Sequence, residues 1–378
     1  MLRHNNLQPS TRTALRHCQV VQKVIEMAPE RAKTCDFCRK SRSPCYKSGT
    51  GGASITAYPL SSIRVRGQLV QHGTRGRACG RRYASSFSSL LEQSHSDQTT
   101  AVASVMRGEF LDVGGARLYY YAAGTRGGDE PLVLIHGFPT SSHLWQDLVP
   151  LLPAGRRVVV LDLLGYGRSD PPGDLPLHIK AHADRLLVLL DLLGINRACL
   201  IGHDVGGGVA QAVAVKAPHR VSHLCLISSV GFDEWPSREV KMARATLPLT
   251  RHLPATWLLS VLKTDLARGY VDQDLATRSI DRYIRNFATP AGRDLLVSHL
   301  EALDCRDTME AGMRLGTVPA PTAIIHGAHD PFLPLSSAKR LQQAIHGATL
   351  DVLDASRHFL PEESPKRLAE IITALIEK

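Results

Sequence analysis

Long hydrophobic runs are absent from this 378-residue sequence. A membrane-spanning helix needs about 18 consecutive apolar residues. The longest candidate, Leu186 to Ile195, is shorter and is interrupted by Asp191, so we expect no transmembrane segment. The chain also has no Asn-x-Ser/Thr sequon, and its eight cysteines are scattered. This pattern does not indicate a disulfide framework and favours a reducing compartment such as the cytoplasm.

Acidic residues are scarce only at the start of the chain. The formal net charge is +10, but residues 1–105 carry 16 Lys and Arg against 5 Asp and Glu. The remaining residues hold 29 basic and 30 acidic side chains. Because this second part is nearly neutral, it has no electrostatic reason to bind nucleic acid, and we expect no nucleic-acid partner.

Residues 1–105 are rich in Arg, Ser, Gly and Thr and have little apolar periodicity, so we predict a largely disordered extension. A second interpretation is a mitochondrial presequence, which makes the mitochondrion the alternative location. The opening Met1-Leu2-Arg3 and the stretch Arg81 to Ser86 resemble such a targeting segment and its cleavage site. In a third interpretation, Met106 is the true start and the preceding residues are a poorly selected extension.

A group of cysteines in the N-terminal extension suggests a zinc site. Cys35, Cys38 and Cys45 have a C-x2-C-x6-C spacing that resembles half of a fungal binuclear zinc cluster. Only Cys79 follows them in this segment, so three or four thiolates would bind a single zinc ion. In this interpretation the basic segment has a regulatory role.

From Glu109 onwards, strand-like and helix-like segments alternate. Residues Glu109 to Ala123 alternate as a hairpin with a turn at Gly114-Gly115. Apolar runs typical of buried strands follow at 131–135, 157–162, 198–201, 223–228, 321–326 and 349–354. Helical spacing occupies 177–193, 209–217, 335–345 and 364–376. This alternation predicts an α/β protein with a mostly parallel, doubly wound sheet.

Residues 232–316 interrupt the alternation with a helical texture and four prolines. We interpret them as an inserted helical lid. The folded part then consists of a first core segment at 106–231, the lid at 232–316 and a second core segment at 317–378. In open α/β sheets, ligands bind beyond the carboxyl ends of the strands.

One strand end has the form of a nucleophile elbow. Gly202-His203-Asp204-Val205-Gly206-Gly207 places small residues two positions before and after Asp204. Such a tight strand-to-helix turn holds a nucleophile in a strained conformation. Aspartate stands here where serine is usual. In the alternative interpretation, Asp204 only caps the following helix.

Three other strand ends supply the partners that such a nucleophile needs. The turn His136 to Pro139 can direct a backbone N–H into the site, so the amides of Phe138 and Val205 would form an oxyanion hole. Asp330 ends a later strand, and His358 follows the last strand. The order nucleophile, acid, histidine is the one expected after such an elbow. We therefore predict a triad of Asp204, Asp330 and His358.

With these motifs, residues 109–378 resemble the α/β-hydrolase superfamily. The Gly-His-Asp-x-Gly-Gly elbow and the His-Gly-x-Pro turn are similar to those of the epoxide hydrolase and haloalkane dehalogenase branch. The resemblance implies that Asp204 is the nucleophile, Asp330 the charge-relay acid and His358 the base. It implies a hydrolase without a cofactor or a metal. An ionised carboxylate suits attack on an sp³ carbon, and His358 would then activate water to hydrolyse the resulting ester.

The resemblance also orders the substrate classes. Haloalkane dehalogenases hold the halide with a Trp after the nucleophile, where this chain has Val205, and Phe138 adds no side-chain donor. Fluoroacetate dehalogenases carry an Arg just after the nucleophile, which Val205 and Gly208 do not supply. Epoxide hydrolases share the His-Gly-x-Pro turn, although many of them also have Trp at the position of Val205. We therefore expect epoxides of apolar organic compounds as substrates, with water.

Four further residues are predicted to bind substrate. Epoxide hydrolases use lid tyrosines to hydrogen-bond the epoxide oxygen, and Tyr270 and Tyr283 are the two tyrosines of this lid. Trp145 is a candidate for lining an apolar pocket, together with Trp235 and Trp257. His203 adjoins the nucleophile and is a candidate substrate contact. In the alternative interpretation, His203 and His329 are packing neighbours of the site. The alternatives for function are hydrolysis of another ester, a lactone or a carbon–halogen bond, or a non-catalytic receptor for a small ligand.

Overall fold

The computed structural model describes residues 108–124, 130–250 and 252–378. The predictions for residues 1–105, including the presequence and the zinc-binding cysteines, and the alternative start at Met106 lie outside this part of the chain. The described strands are β1 Glu109–Asp112, β2 Arg117–Ala123, β3 Leu132–Ile135, β4 Val158–Leu161, β5 Ala198–Asp204, β6 Val221–Ser229, β7 Thr322–Gly327 and β8 Thr349–Leu353.

These strands form one sheet in the order β1-β2-β4-β3-β5-β6-β7-β8. The pairs β1–β2 and β2–β4 are antiparallel, and all the other neighbouring pairs are parallel. Strands β3, β4, β5 and β7 are buried along their whole length, as their continuous apolar runs predicted. The prediction of a mostly parallel, doubly wound sheet is therefore confirmed.

Helices cover both faces of the sheet. The core helices are α1 Ile179–Leu192, α2 Val205–Lys216, α8 Leu335–Ala344, the single turn α9 Leu360–Glu363, and α10 Pro365–Ile376. The apolar sides of α1, α2 and α8 pack in one hydrophobic cluster on the sheet. The apolar side of α10 packs in a second cluster, together with the 3₁₀ turns at Ser142–Trp145 and Val149–Leu151.

The chain between β6 and β7, which we call the helical insertion, contains five helices. They are α3 Arg238–Thr250, α4 Ala255–Ala267, α5 Gln273–Ile284, α6 Pro290–Ala302 and α7 Arg306–Gly312. Side-chain capping fixes the start of α5. The Asp272 carboxylate accepts the backbone N–H groups of Asp274 and Leu275 at the start of α5. None of the helices in the described part of the chain combines the length and hydrophobicity that a membrane span requires.

Candidate active site

Asp204 lies at the junction of β5 and α2, in a backbone conformation with φ 52° and ψ −121°. Non-glycine residues adopt such a positive φ only when the surrounding structure enforces it. A Cβ atom on Gly206 would lie 2.1 Å from the carbonyl oxygen of Ile135, so the turn requires glycine there. Beyond its first residue, Val205, α2 donates no capping hydrogen bond to the Asp204 side chain, which counts against the helix-cap interpretation.

Two backbone amides hold the Asp204 carboxylate. The N–H of Phe138 donates to Oδ2 of Asp204 over 2.9 Å, and the N–H of Val205 also hydrogen-bonds this carboxylate. A Cβ atom on Gly137 would lie 2.5 Å from Oδ2, so the close approach of the turn depends on glycine. The structure thus places both predicted oxyanion-hole amides on Asp204.

A buried histidine fixes the turn that carries Phe138. Nε2 of His136 accepts the N–H of Leu163 over 3.0 Å, so Nδ1 is the protonated nitrogen and donates to the carbonyl of Gly137 over 2.9 Å. Burial lowers the pKa of His136, which keeps the ring neutral and compatible with this arrangement. The turn after β3 is therefore tied to the chain that follows β4.

His358 and Asp330 form a buried pair beside Asp204. Nδ1 of His358 donates to Oδ2 of Asp330 over 2.8 Å, which leaves Nε2 as the free ring nitrogen. Burial alone would raise the pKa of Asp330, but the charge of His358 and its hydrogen bond lower it to about 2. Burial alone would lower the pKa of His358, but the carboxylates of Asp330 and Asp204 outweigh burial and raise it.

Asp204 itself is a perturbed carboxylate. Burial raises its pKa to about 6, although the nearby charge of His358 and the amides of Val205 and Phe138 act in the opposite direction. At neutral pH the group is mostly ionised. The arrangement therefore presents a carboxylate that two amides hydrogen-bond, next to a histidine that a second carboxylate orients.

His203 supports the histidine loop from behind. Its Nε2 donates to the backbone carbonyl of His358 over 3.0 Å, and the two ring centroids lie 4.8 Å apart. Burial lowers the pKa of His203 to about 3, so the ring is neutral. Because its side chain is fully buried, the prediction that His203 binds substrate is wrong, and its interpretation as a packing neighbour fits the structure.

A cavity of about 420 Å³ opens onto Asp204, Val205 and His358. Its walls are mostly apolar and come from α3, α4 and α6 of the helical insertion and from residues that follow β6, β7 and β8. Trp235 and Trp257 are part of this lining, as their aromatic character suggested. The site is therefore closed on one side by the sheet and on the other by the helical insertion.

The charged groups of this lining are distinctive. Among the described residues they are the carboxylates of Asp204, Glu239 and Asp265 together with His358, and no Lys or Arg is included. Within the same part of the chain, no three His, Cys, Asp or Glu side chains converge in a way that could hold a metal ion. An apolar cavity with this charge pattern favours a neutral organic ligand over an anionic one.

Three of the predicted substrate-binding side chains lie elsewhere. Tyr270 and Tyr283 are buried, and both phenols donate to the Glu362 carboxylate instead of facing the cavity. Trp145 is fully buried in the core cluster that contains α10. These predictions are wrong because the packing of each element, which sequence spacing does not specify, determines where its side chains point.

Glu362 is the main residue that sequence reasoning missed. It follows Pro361 in a short run of two acidic residues, Glu362 and Glu363. Acidic side chains in the first turn of a helix are common because they complement the helix dipole, so this signal did not distinguish Glu362 from a solvent-exposed residue. Its burial is a property of the tertiary fold alone.

The order of the sheet, the elbow at Asp204 and the pair at the later strand ends are those of one large fold family. A family model described as alpha/beta hydrolase fold matches residues 130–365. The chain belongs to this family. Its 2-hydroxymuconate semialdehyde hydrolase relative from Pseudomonas sp. (strain CF600) is 31% identical over 267 residues, which cover 65% of this chain and 86% of that protein.

Other known proteins are similar to this chain over a comparable share of its length. A 2-hydroxy-6-oxononadienedioate/2-hydroxy-6-oxononatrienedioate hydrolase from Paraburkholderia xenovorans (strain LB400) is 29% identical, covering 68% of this chain and 90% of that protein. The solved enol-lactonase from Burkholderia xenovorans LB400 superimposes with a TM-score of 0.61 at 25% identity, covering 71% of this chain and all of that one. These relatives support a hydrolase of this family, and they are not epoxide hydrolases or haloalkane dehalogenases by name.

Proposed function

We propose that this hydrolase opens epoxides of neutral, apolar compounds through a covalent ester on Asp204. The observation that carries the proposal is the aspartate at the elbow. Its carboxylate is held by the amides of Phe138, which donates to Oδ2, and Val205, and the group faces an apolar cavity beside His358. A carboxylate in this position is a nucleophile for an sp³ carbon and needs no base for its attack.

In the first step, Oδ1 of Asp204 attacks an epoxide carbon. A new carbon–oxygen bond forms to Asp204, the epoxide carbon–oxygen bond breaks, and its electron pair passes to the leaving oxygen, which is protonated. Tyr270 and Tyr283 are turned away from the cavity, so the stabilising hydrogen bond must come from other groups. The described lining offers the Ser237 hydroxyl and the Trp257 indole for this purpose, and water completes the protonation.

In the second step, water hydrolyses the ester. Nε2 of His358 removes a proton from water while Asp330 holds the opposite nitrogen, and the resulting hydroxide attacks Cγ of Asp204. Negative charge then develops on Oδ2, where the Phe138 amide already donates, and the Val205 amide hydrogen-bonds the same carboxylate. Collapse of this intermediate breaks the bond between Cγ and Oδ1, and the protonated His358 gives its proton to the departing oxygen, so the diol is released. The carboxylic acid left on Asp204 loses its proton to water, which restores the carboxylate. The helical insertion acts as the lid that keeps bulk water out of the cavity.

The cavity also defines the charge of the substrate. A buried carboxylate on a substrate would face Asp204, Glu239 and Asp265 without a Lys or Arg in the described lining to pair with it. The name of the Paraburkholderia xenovorans relative denotes a dianionic substrate. We propose that the present protein differs from it in accepting uncharged compounds.

Lactone or ester hydrolysis is the second candidate function, and the similarity to the enol-lactonase favours it. Attack of Asp204 on an acyl carbon would give an anhydride, which hydrolyses more readily than an alkyl ester. The two functions therefore differ in the intermediate that accumulates when the second step is slowed.

The deciding experiment is a covalent trap in His358→Gln, in which the base for the second step is removed. The variant is incubated with aryl and alkyl epoxides, haloalkanes and enol lactones, and the intact protein is weighed. A gain equal to one whole epoxide, mapped to the peptide that contains Asp204 and absent from Asp204→Asn/His358→Gln, supports the proposal. Lactone turnover by the wild type without any epoxide adduct favours the second candidate. Tight binding without turnover of any compound would indicate a receptor.

A further inference from the structure

Glu362 is a buried carboxylate outside the cavity that accepts three hydroxyl hydrogen bonds from the helical insertion. Its Oε2 accepts from Tyr270 over 2.5 Å, and its Oε1 accepts from Ser279 over 2.8 Å and from Tyr283 over 2.9 Å. The residue is only 6% exposed. In the described part of the chain, no Lys or Arg forms an ion pair with it. Three oriented hydroxyls thus provide the polar contacts that this buried group requires.

The same region is bound directly to the loop that carries His358. The backbone N–H groups of His358 and Phe359 donate to the carbonyl of Gly269 over 3.0 and 3.4 Å. The ring of Tyr270 stacks on Phe359 with centroids 4.3 Å apart. Glu362 follows His358 by four residues in the turn α9. The side-chain and backbone contacts therefore fix the histidine loop to one short segment of the insertion.

A second carboxylate reinforces this attachment. Oε1 of Glu363 accepts the N–H of Val271 over 2.6 Å, and its Oε2 accepts the N–H of Arg357 over 2.9 Å. The backbone on either side of His358 is thus bound to the insertion, through Arg357 before it and α9 after it. A displacement of either element moves the other, because each contact is a short hydrogen bond to a fixed backbone or buried group.

We propose that Glu362 is a positioning residue that clamps the helical insertion to the histidine loop and so places His358 for hydrolysis of the Asp204 ester. This inference rests on the proposed function, because it concerns the second step of that reaction. Attack by Asp204 does not require His358, whereas activation of water requires Nε2 within hydrogen-bond reach of a water that can attack the ester carbon. A loosened clamp therefore slows the second step and leaves the first intact.

The test follows both steps separately in Tyr270→Phe and Glu362→Gln, by rapid quenching and intact-mass measurement with an epoxide that the wild type turns over. Tyr270→Phe removes one donor and keeps the ring stack on Phe359. Glu362→Gln keeps the shape but directs an amide N–H₂ toward hydroxyl donors. We expect ester formation within about twofold of wild type and ester hydrolysis slower by about 10- to 100-fold, the effect of a displacement near 1 Å. Ester on Asp204 should then accumulate.

The matched control is Tyr120→Phe, which removes another phenol-to-glutamate hydrogen bond, of 2.5 Å to Glu109, in the sheet. It should leave both steps unchanged. If Tyr270→Phe and Glu362→Gln hydrolyse the ester at the wild-type rate, or slow both steps equally, the positioning role is wrong while the proposed function stands. If His358→Gln forms no ester on Asp204 with any epoxide, both proposals are overturned.

Discussion

His358 and Asp330 are joined by a hydrogen bond of 2.8 Å between Nδ1 and Oδ2, and the other oxygen of Asp330 is also occupied. Oδ1 of Asp330 accepts the backbone N–H groups of Phe332 and Leu333 over 2.8 and 3.1 Å. The carboxylate therefore cannot rotate without losing three hydrogen bonds. This rigidity fixes one tautomer of His358, with the proton on Nδ1 and a free lone pair on Nε2.

Asp330→Asn should disrupt this tautomer, because an amide nitrogen that faces Nδ1 is a donor and requires an unprotonated Nδ1. We expect hydrolysis of the Asp204 ester to slow by about 10²- to 10⁴-fold, while formation of the ester is retained. Single-turnover mass measurements resolve the two steps. Asp233→Asn, which alters a carboxylate paired with the exposed Arg340, is the control. If ester formation in Asp330→Asn slows by the same factor as ester hydrolysis, the role assigned to Asp330 is wrong.

The pH dependence of the reaction should report on the ionisation of two groups, Asp204 and His358. Asp204 has a pKa of about 6 and must be ionised to attack, so kcat/KM should fall as the pH drops below about 6. For His358, burial lowers the pKa, and the carboxylates of Asp330 and Asp204 raise it by more. Loss of the Asp204 charge on ester formation should therefore lower the pKa of His358.

Asp204→Asn mimics that uncharged state. NMR titration of the His358 ring should show a lower pKa in this variant than in the wild type. An unchanged pKa would show that Asp204 and His358 are not electrostatically linked as the structure indicates. A kcat/KM that stays constant down to pH values well below 6 would contradict the raised pKa of Asp204.

Gly137→Ala should damage the site without unfolding the protein. The added Cβ would lie 2.5 Å from Oδ2 of Asp204, so the turn or the carboxylate must move and the Phe138 hydrogen bond is lost. We expect kcat to fall by about 10²- to 10³-fold, the usual cost of one oxyanion-hole donor. Gly316→Ala is the matched control, since its Cβ would meet no atom closer than 3.5 Å. Similar losses in both variants would argue against the role of the turn.

Substrate charge is the fourth prediction. For a pair of epoxides that differ only by a carboxylate and its methyl ester, kcat/KM should favour the ester by at least about tenfold, because the described lining of the cavity holds three carboxylates and no Lys or Arg. The double variant Glu239→Gln/Asp265→Asn should lower the ratio of kcat/KM for the ester to kcat/KM for the carboxylate. Asp274→Asn removes an exposed charge from α5, outside the cavity, and should leave the ratio unchanged. A wild-type preference for the carboxylate would overturn the proposal of a neutral substrate.

The sheet was predictable because its signals are local. The apolar runs placed the six parallel strands to within two residues at either end, except for β5, whose run was predicted to stop at 201 and extends to Asp204. The elbow pattern marked Asp204, and the strand ends marked Asp330 and His358. The prediction of where α2 starts was less accurate. It begins at Val205 rather than Val209, because three successive glycines disfavour a helix locally, while close packing of Gly206 against β3 and of Gly207 against β6 requires glycine.

The directions of buried side chains were not predictable in the same way. Tyr270 and Tyr283 lie in the predicted lid, but their phenols point to Glu362, which lies 92 and 79 residues further along the chain, respectively. Their orientation depends on how the insertion packs against the histidine loop, and no periodicity in the sequence encodes that contact. The cavity lining depends on the same packing, so its charge pattern emerged only from the structure.

The hydrogen bond from Phe138 to Oδ2 makes the two oxygens of Asp204 chemically distinct. In the proposed reaction, the free oxygen is transferred to the product, and an oxygen from water replaces it when the ester is hydrolysed. The protein thus renews an atom of its own side chain in every cycle. During a single turnover in ¹⁸O-labelled water, the heavy isotope would enter Asp204 first and would reach the diol only in later turnovers.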